Sequence, residues 1–453
     1  MYDITIIGSG VSSIFLAYTL LQSNQKVLIL EKGKTLEERA CAIDKGGICN
    51  CDVCGKYYGF AGLGKSEGKF NYSCEFGGEL AQKVGRENLE QLMKEVDDLL
   101  CLFGGGSVQK YSTVNEKLTK KAEDCKLHML TTEVRHLGTR LSTEIFERLY
   151  NELSSRIDIR FEVDILDIKK ENNLFFLDTN LEKFESKNVV FATGRSGTEW
   201  LNDQCTSLGV KQGRTRLDLG IRVEMKEQQL RSILQDTFET KLSFEYDELI
   251  STTYCMNPKG RIIRKFQEGL VMPDGQNFKE KESGTTYLNF TLFTPKYFPS
   301  LKEANLYANN IIGKINNGLD RIVVQRLGDL LNGESTTNVK MEKNSIKATL
   351  DADCGDLKNE VPNLYLNILQ GFLNQLEEFI GETIDEDTLL YGMDGKFYSP
   401  IIETNSNFQT SLEGLFVIGD CSGVTHSLSQ AAASGIYLGK VLAIKDQYLS
   451  CFN

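Results

Sequence analysis

Two stretches near the start of this chain and one near its end carry the residues that chemistry could use. The first is Tyr2-Asp-Ile-Thr-Ile-Ile-Gly8-Ser-Gly10-Val11-Ser12-Ser13, an apolar run that enters a glycine-rich turn, with Glu31 lying 21 residues beyond Gly10. Gly8 suits the tight turn, and Gly10 lets a pyrophosphate approach the N-terminus of the helix that follows. A carboxylate at the spacing of Glu31 meets ribose hydroxyls. Ser13 stands where a third glycine would serve close helix–strand packing. The second stretch holds Cys41, Cys49, Cys51 and Cys54. Thiolates in a C-x-C-x2-C run with a fourth nearby suit an iron–sulfur cluster or zinc, and the same thiols can also serve as loop packing. The third is Gly414-Leu-Phe-Val-Ile-Gly419-Asp420, with His426 six residues on. Asp420 can accept from a polyol hydroxyl or cap a helix, and His426 is the best placed acid/base candidate among three histidines.

These residues need elements to aim them. Ile14, Ala17, Tyr18, Leu20 and Leu21 form the apolar face of a helix directly after the glycine turn, and Lys26-Val-Leu-Ile-Leu-Glu31 reads as the next strand. Asn188-Val-Val-Phe-Ala192-Thr193-Gly194 reads as a buried strand ending in a small-residue turn. Before it comes a hairpin of 158–168 and 174–178 that turns at Asn172-Asn173. After Asp420 a helix runs through Ser429-Gln-Ala-Ala432-Ala-Ser-Gly435. Gly104-Gly-Gly106-Ser follows a helical pattern rather than a strand, so it reads as a helix stop and not as a second nucleotide fingerprint.

The strand, turn, helix, strand and acid at the N-terminus, together with Ala192-Thr193-Gly194 and Gly419-Asp420, resemble the FAD-binding fold of the glutathione-reductase type. Further segments are similar to the FAD-dependent, or NAD(FAD)-utilising, dehydrogenases, a family whose members largely lack an assigned substrate. They are the run from Glu31 and Lys32 through Arg39 to Cys41, the glycine-rich Gly59-Phe-Ala-Gly62-Leu-Gly64, Leu219-Gly220-Ile-Arg222-Val-Glu224, Tyr254-Cys255-Met256-Asn257-Pro258, and Ser399-Pro400. The chain departs from that family at Asn257, where a second cysteine is usual, and at Asp420-Cys421. The resemblance implies an α/β architecture: a Rossmann-like FAD-binding domain with a mainly parallel sheet (1–215 and 386–453), split by an inserted α+β substrate or cap domain (216–385). It implies FAD contacts from Gly8, Gly10, Val11, Ser12, Ser13, Glu31, Lys32, Arg39, Gly62, Ala192, Thr193, Gly194, Gly419, Asp420, Ser429 and Ala432. Gly46-Gly47-Ile48-Cys49 with Cys54 locally resembles the redox disulfide of flavoprotein disulfide reductases, so metal, disulfide and packing stay open for the cysteines. Cys255 joins His426 as a catalytic candidate, and Arg222 could pair with a substrate carboxylate.

Composition narrows the partners. Of 453 residues 51 are Lys or Arg and 63 Asp or Glu, a net charge of −12 that opposes binding to nucleic acid or anionic membranes. A first strand starting at Tyr2, no apolar run of bilayer length and twelve cysteines point to a reducing cytoplasm. The expectation is therefore an FAD-dependent oxidoreductase that moves two electrons between flavin and a small molecule. NAD(P)H, an iron–sulfur centre or an electron-donor protein would be its redox partner. A flavoprotein modifying tRNA and a non-enzymatic redox sensor are the alternatives.

Overall fold

The six residues after Met1 form strand β1 (Tyr2–Ile7), which is paired on both sides and buried over its last four positions. A computed structural model describes residues 1–40, 55, 57–65, 68–237, 240–276 and 284–450. They fall into two units: Met1–Ser112, Thr132–Arg214 and Tyr398–Asn453 in the first, and Thr113–Thr131 and Thr215–Phe397 in the second.

In the first unit, helix α1 (Val11–Leu20) follows β1, and eight of its ten residues are buried, so it is a central helix rather than a surface one. Strand β2 (Val27–Leu30) is buried throughout, as parallel strands covered on both faces are. Beside β1 lies β3 (Lys183–Phe191), beside β3 lies β4 (Leu415–Val417), and beside β2 lies Asp158–Arg160, all parallel. The N-terminal half of β3 pairs antiparallel with Leu174–Thr179, which in turn pairs with Ile165–Glu171. Asn172 and Asn173, at φ 49° and 65°, make the expected turn. The first arm of that hairpin is shorter than its apolar pattern suggested. Glu162 turns the chain at φ 57°, so Asp158–Arg160 leaves the hairpin and joins β2. The long C-terminal helix α2 (Leu428–Ser450) packs on α1. A Cβ on Gly435 would stand 2.2 Å from the carbonyl oxygen of Ser12, so glycine is what allows the two backbones this approach.

The second unit is built on an eight-stranded mixed sheet whose long strand Thr215–Lys226 is buried on both faces. Leu217, Leu219, Ile221, Val223 and Met225 pack into one apolar core with Tyr365, Leu369, Phe372 and Leu376 of helix Asn363–Ile380. At about 1.5–3 kcal/mol for each fully buried large apolar side chain, this layer is the main support of the unit. The alternate positions Asp218, Arg222 and Glu224 face the other way, and all three are buried. Across from them lie Asn289, Thr291 and Asp394 of the neighbouring strands.

Candidate functional site

The register of the first sheet sets the site. Ile7 pairs with Leu30 on one side and Phe191 on the other, and Phe191 pairs with Val417. Four strand ends therefore stand in one row, about 14 Å wide at the usual strand spacing. Each leads directly into a segment singled out by sequence: Gly8, Glu31, Ala192-Thr193-Gly194, and Gly419-Asp420. The carboxyl edge of a parallel sheet is where open α/β folds bind ligands.

Gly8 holds the row together. Its φ is +96° and a Cβ there would fall 2.6 Å from the carbonyl oxygen of Ala192, so no other residue lets the two turns close. Gly10 caps α1 without any side-chain capping bond, and a Cβ on it would meet no atom within 4 Å. Open space thus lies over the N-terminus of a ten-residue helix, with Val11, Ser12 and Ser13 in its first turn. The Ala61 N–H donates to the Ser9 carbonyl at 2.9 Å, and Gly62 brings its backbone beside Gly10. On the far side Gly419, at φ +70°, leaves room for Ser12, whose Oγ would lie 2.5 Å from a Cβ at that position.

Glu31 is buried and fully engaged. It accepts from the Ser9 N–H and Ser9 Oγ–H, both at 2.8 Å, from the Gly33 N–H at 2.7 Å and from the Gly59 N–H at 3.0 Å. These donors match the four lone-pair sites of a carboxylate. Glu31 thus fixes three backbone segments around the turn, and a ribose hydroxyl would share its oxygens with them. Arg39 is buried among carbonyls, donating from Nε to Gly55 at 3.0 Å and from Nη1 to Phe60 at 2.5 Å. Lys32 points elsewhere, pairing with Asp164 at 2.9 Å on the surface.

Asp420 accepts from the Thr425 hydroxyl at 2.9 Å, and Arg195 Nε stands 3.5 Å from its other oxygen. His426 donates its backbone N–H to the Gly77 carbonyl at 2.8 Å and sets its ring edge-on to Tyr398, centroids 4.5 Å apart. The Cys421 thiol is fully buried, and desolvation pushes it up to about 11, which removes it as a nucleophile near neutral pH. Two hydroxyls in the first turns of the two helices, Ser13 Oγ on α1 and Ser429 Oγ on α2, are buried with no hydrogen-bond partner among the described residues. Such orphans are uncommon in a folded interior and mark where a ligand or solvent atom is expected. Ala432 lies in the apolar core of the unit.

Cys41, Cys49, Cys51 and Cys54 lie outside the described residues. Among the described residues no three His, Cys, Asp or Glu side chains group as metal ligands, and no helix is long and apolar enough to cross a membrane. The backbone of Cys255 is on strand Leu249–Pro258 of the second unit, and its side chain is outside the described set. Arg222 is a buried organiser of that unit. It donates to Thr291 Oγ1 at 3.0 Å and Asn289 Oδ1 at 2.5 Å, and stands 3.5 Å from Asp394. A Cβ on Gly275 would collide with its guanidinium at 1.6 Å, so the hairpin Arg261–Gln276 closes tightly over it.

Comparison with known proteins gives distant likenesses. No protein-family model matches the sequence. An uncharacterized protein of Clostridium beijerinckii is 20% identical over 473 residues, covering 95% of this chain and 79% of that one. Among solved structures, NikD, an unusual amino acid oxidase essential for nikkomycin biosynthesis, superposes with a TM-score of 0.37 at 10% identity, covering 98% of this chain and 94% of its own. Glycine oxidase from Geobacillus kaustophilus gives 0.36 at 12% identity, covering 98% and 92%. The E. coli quinol fumarate reductase subunit FrdA gives 0.41 at 11%, covering 99% and 71%. These are loose superpositions.

Proposed function

We propose that this chain is an FAD-dependent oxidoreductase that moves two electrons between bound flavin and a small-molecule substrate. The single observation that carries the reading is the row of strand ends: one register line delivers Gly8, Glu31, Ala192-Thr193-Gly194 and Gly419-Asp420 to one edge of one parallel sheet. A lone glycine turn would fit many nucleotides. The additional strand ending in Gly419-Asp420 and followed by the helix bearing Ser429 is what an extended flavin dinucleotide needs and a nicotinamide-only site does not.

The residues divide the work. The open N-terminus of α1 at Gly10 would take the pyrophosphate, since its backbone N–H groups and helix dipole favour negative charge. Glu31 would meet the adenosine ribose while holding the Ser9, Gly33 and Gly59 backbones. Asp420 would accept from the ribityl chain, and the buried Ser429 hydroxyl would gain the partner it lacks in the protein alone. His426 is offered as the proton donor or acceptor, its ring steadied by Tyr398. Bound FAD would supply the electron chemistry, with the protein contributing orientation and electrostatics. The family resemblance, the cytoplasmic setting, the bounds of the inserted domain and the roles of NAD(P)H and the four cysteines belong to this same reading.

The test is anaerobic titration of FAD-loaded protein with NADH and with NADPH, followed by admission of an acceptor. Bleaching of the flavin and its recovery are expected. A flavin that neither nucleotide reduces, though dithionite does, removes the nicotinamide version and leaves a protein donor. Iron, zinc and sulfide analysis on the same sample decides the role of Cys41, Cys49, Cys51 and Cys54.

A further inference from the structure

We propose that Arg195 is the cation that holds the diphosphate of the dinucleotide at this edge. The proposal rests on the FAD reading above and deepens it by naming a residue that no motif marks. The first observation is position: Arg195 follows Gly194 in the turn after β3, inside the row of strand ends. A Cβ on Gly194 would meet nothing within 4 Å, so the turn borders open space as Gly10 does.

The second observation is an uncommitted guanidinium. Arg195 makes no side-chain hydrogen bond among the described residues, and its guanidinium forms one ion pair there, a long one to Asp420 at 3.5 Å from Nε. An arginine placed to fix a carboxylate closes on it in a fork, as Arg216 does on Asp218 at 2.6 and 2.9 Å. Arg195 stays short of that contact and keeps its five N–H donors, while its side chain is only 34% exposed. Among the described residues, Arg39 is spent on the carbonyls of Gly55 and Phe60 and Lys65 on the carbonyls of Leu36 and Arg39, while Lys32 pairs with Asp164 on the surface.

The third consideration is charge. The edge carries two carboxylates, Glu31 and Asp420, and would receive a diphosphate in addition. The N-terminus of α1 offers roughly half an elementary charge against these. A planar, permanently charged guanidinium with free donors is the group that such an edge requires. Bound in this way, Arg195 would lie between Asp420 and the diphosphate and offset the repulsion between them.

The experiment measures the dissociation constant of FAD by flavin fluorescence for the wild-type protein and for Arg195→Ala, Arg195→Gln and Arg195→Lys, at low and high salt. Loss of a charged hydrogen-bonding partner predicts affinity weaker by roughly tenfold to a hundredfold in the Ala and Gln variants. Their salt dependence should also be flatter than that of the wild type, because a screened charge pair has gone. The Lys variant should recover part of the affinity and the salt slope. Circular dichroism and the melting midpoint check that each variant folds; Gln keeps a polar, uncharged arm in the turn should Ala disturb it. Affinity within threefold of wild type in the Gln variant overturns the proposal. So does weaker binding with an unchanged salt slope, which would mark a structural role. A wild-type protein that binds no FAD overturns the cofactor reading itself.

Discussion

Replacing Gly8 by Ala tests the contact on which the row of strand ends depends. Two costs add at this position. The backbone is at φ +96°, where a Cβ costs about 1–2 kcal/mol. That Cβ would also lie 2.6 Å from the Ala192 carbonyl oxygen, which forces the β1 and β3 turns apart at a further cost of about 1–3 kcal/mol. The expected destabilisation is therefore about 2–5 kcal/mol. Gly85 supplies the control, because it has φ +86° and no atom within 4 Å of a Cβ. Gly85→Ala should show only a backbone cost, about 1–3 kcal/mol, since Gly85 lies at φ +86° and ψ 148°. Urea denaturation followed by circular dichroism measures both, and for a unit of this size each kcal/mol moves the melting midpoint by about 2–4 °C. Gly8→Ala should in addition weaken FAD binding, whereas Gly85→Ala should not. Equal destabilisation in the two variants, or unchanged FAD affinity in Gly8→Ala, would refute the reasoning.

Ser429→Ala removes a buried hydroxyl with no protein partner, so the cofactor-free protein should be as stable as wild type or up to about 1 kcal/mol more stable. FAD should bind that variant about three- to tenfold more weakly, read from the same fluorescence titration. In the second unit, burial raises the Glu224 carboxyl above its ordinary range, with Tyr391 and Thr349 donating to it. A carboxyl raised on folding gives stability that is present below its unfolded pKa and lost as pH rises through the folded one. The stability difference between wild type and Glu224→Gln should accordingly shrink or reverse from acid to neutral pH, measured as urea midpoints across that range. A pH-independent difference counts against it. Buried Cys421, pushed up to about 11, and buried Cys205, pushed up to about 12, should resist iodoacetamide at pH 8 in the native protein and react after unfolding. Peptide mass spectrometry reads this, and native labelling of either would contradict the burial.

The first strand–turn–helix–strand unit was legible because its signals are local. Gly8, Gly10 and Glu31 lie within one strand–turn–helix–strand unit: backbone geometry requires Gly8, Gly10 leaves the helix N-terminus open, and Glu31 is a carboxylate at a strand end. The meeting of Ala192-Thr193-Gly194 with Gly419-Asp420 was legible only through resemblance, since β3 and β4 are more than two hundred residues apart and nothing local encodes their pairing. Arg195 gave no signal because a cation after a small-residue turn is ordinary; its meaning comes from donors left uncommitted in three dimensions. Arg222 reads as a partner for a substrate carboxylate because an arginine in the inserted domain can pair with one. The structure instead commits it to Asn289 and Thr291, whose place across the sheet is set by register. The arm 158–168 misled for a local reason: its apolar alternation runs past Glu162, where a positive φ breaks the strand.

The measurement that tests the central claim most directly is the quantity of FAD released on denaturing the protein after reconstitution and gel filtration. One FAD per chain, lost or sharply reduced in Gly8→Ala, is the predicted result. No retained flavin in the wild-type protein, with the fold intact by circular dichroism, would contradict the assignment of the strand-end row as a flavin site.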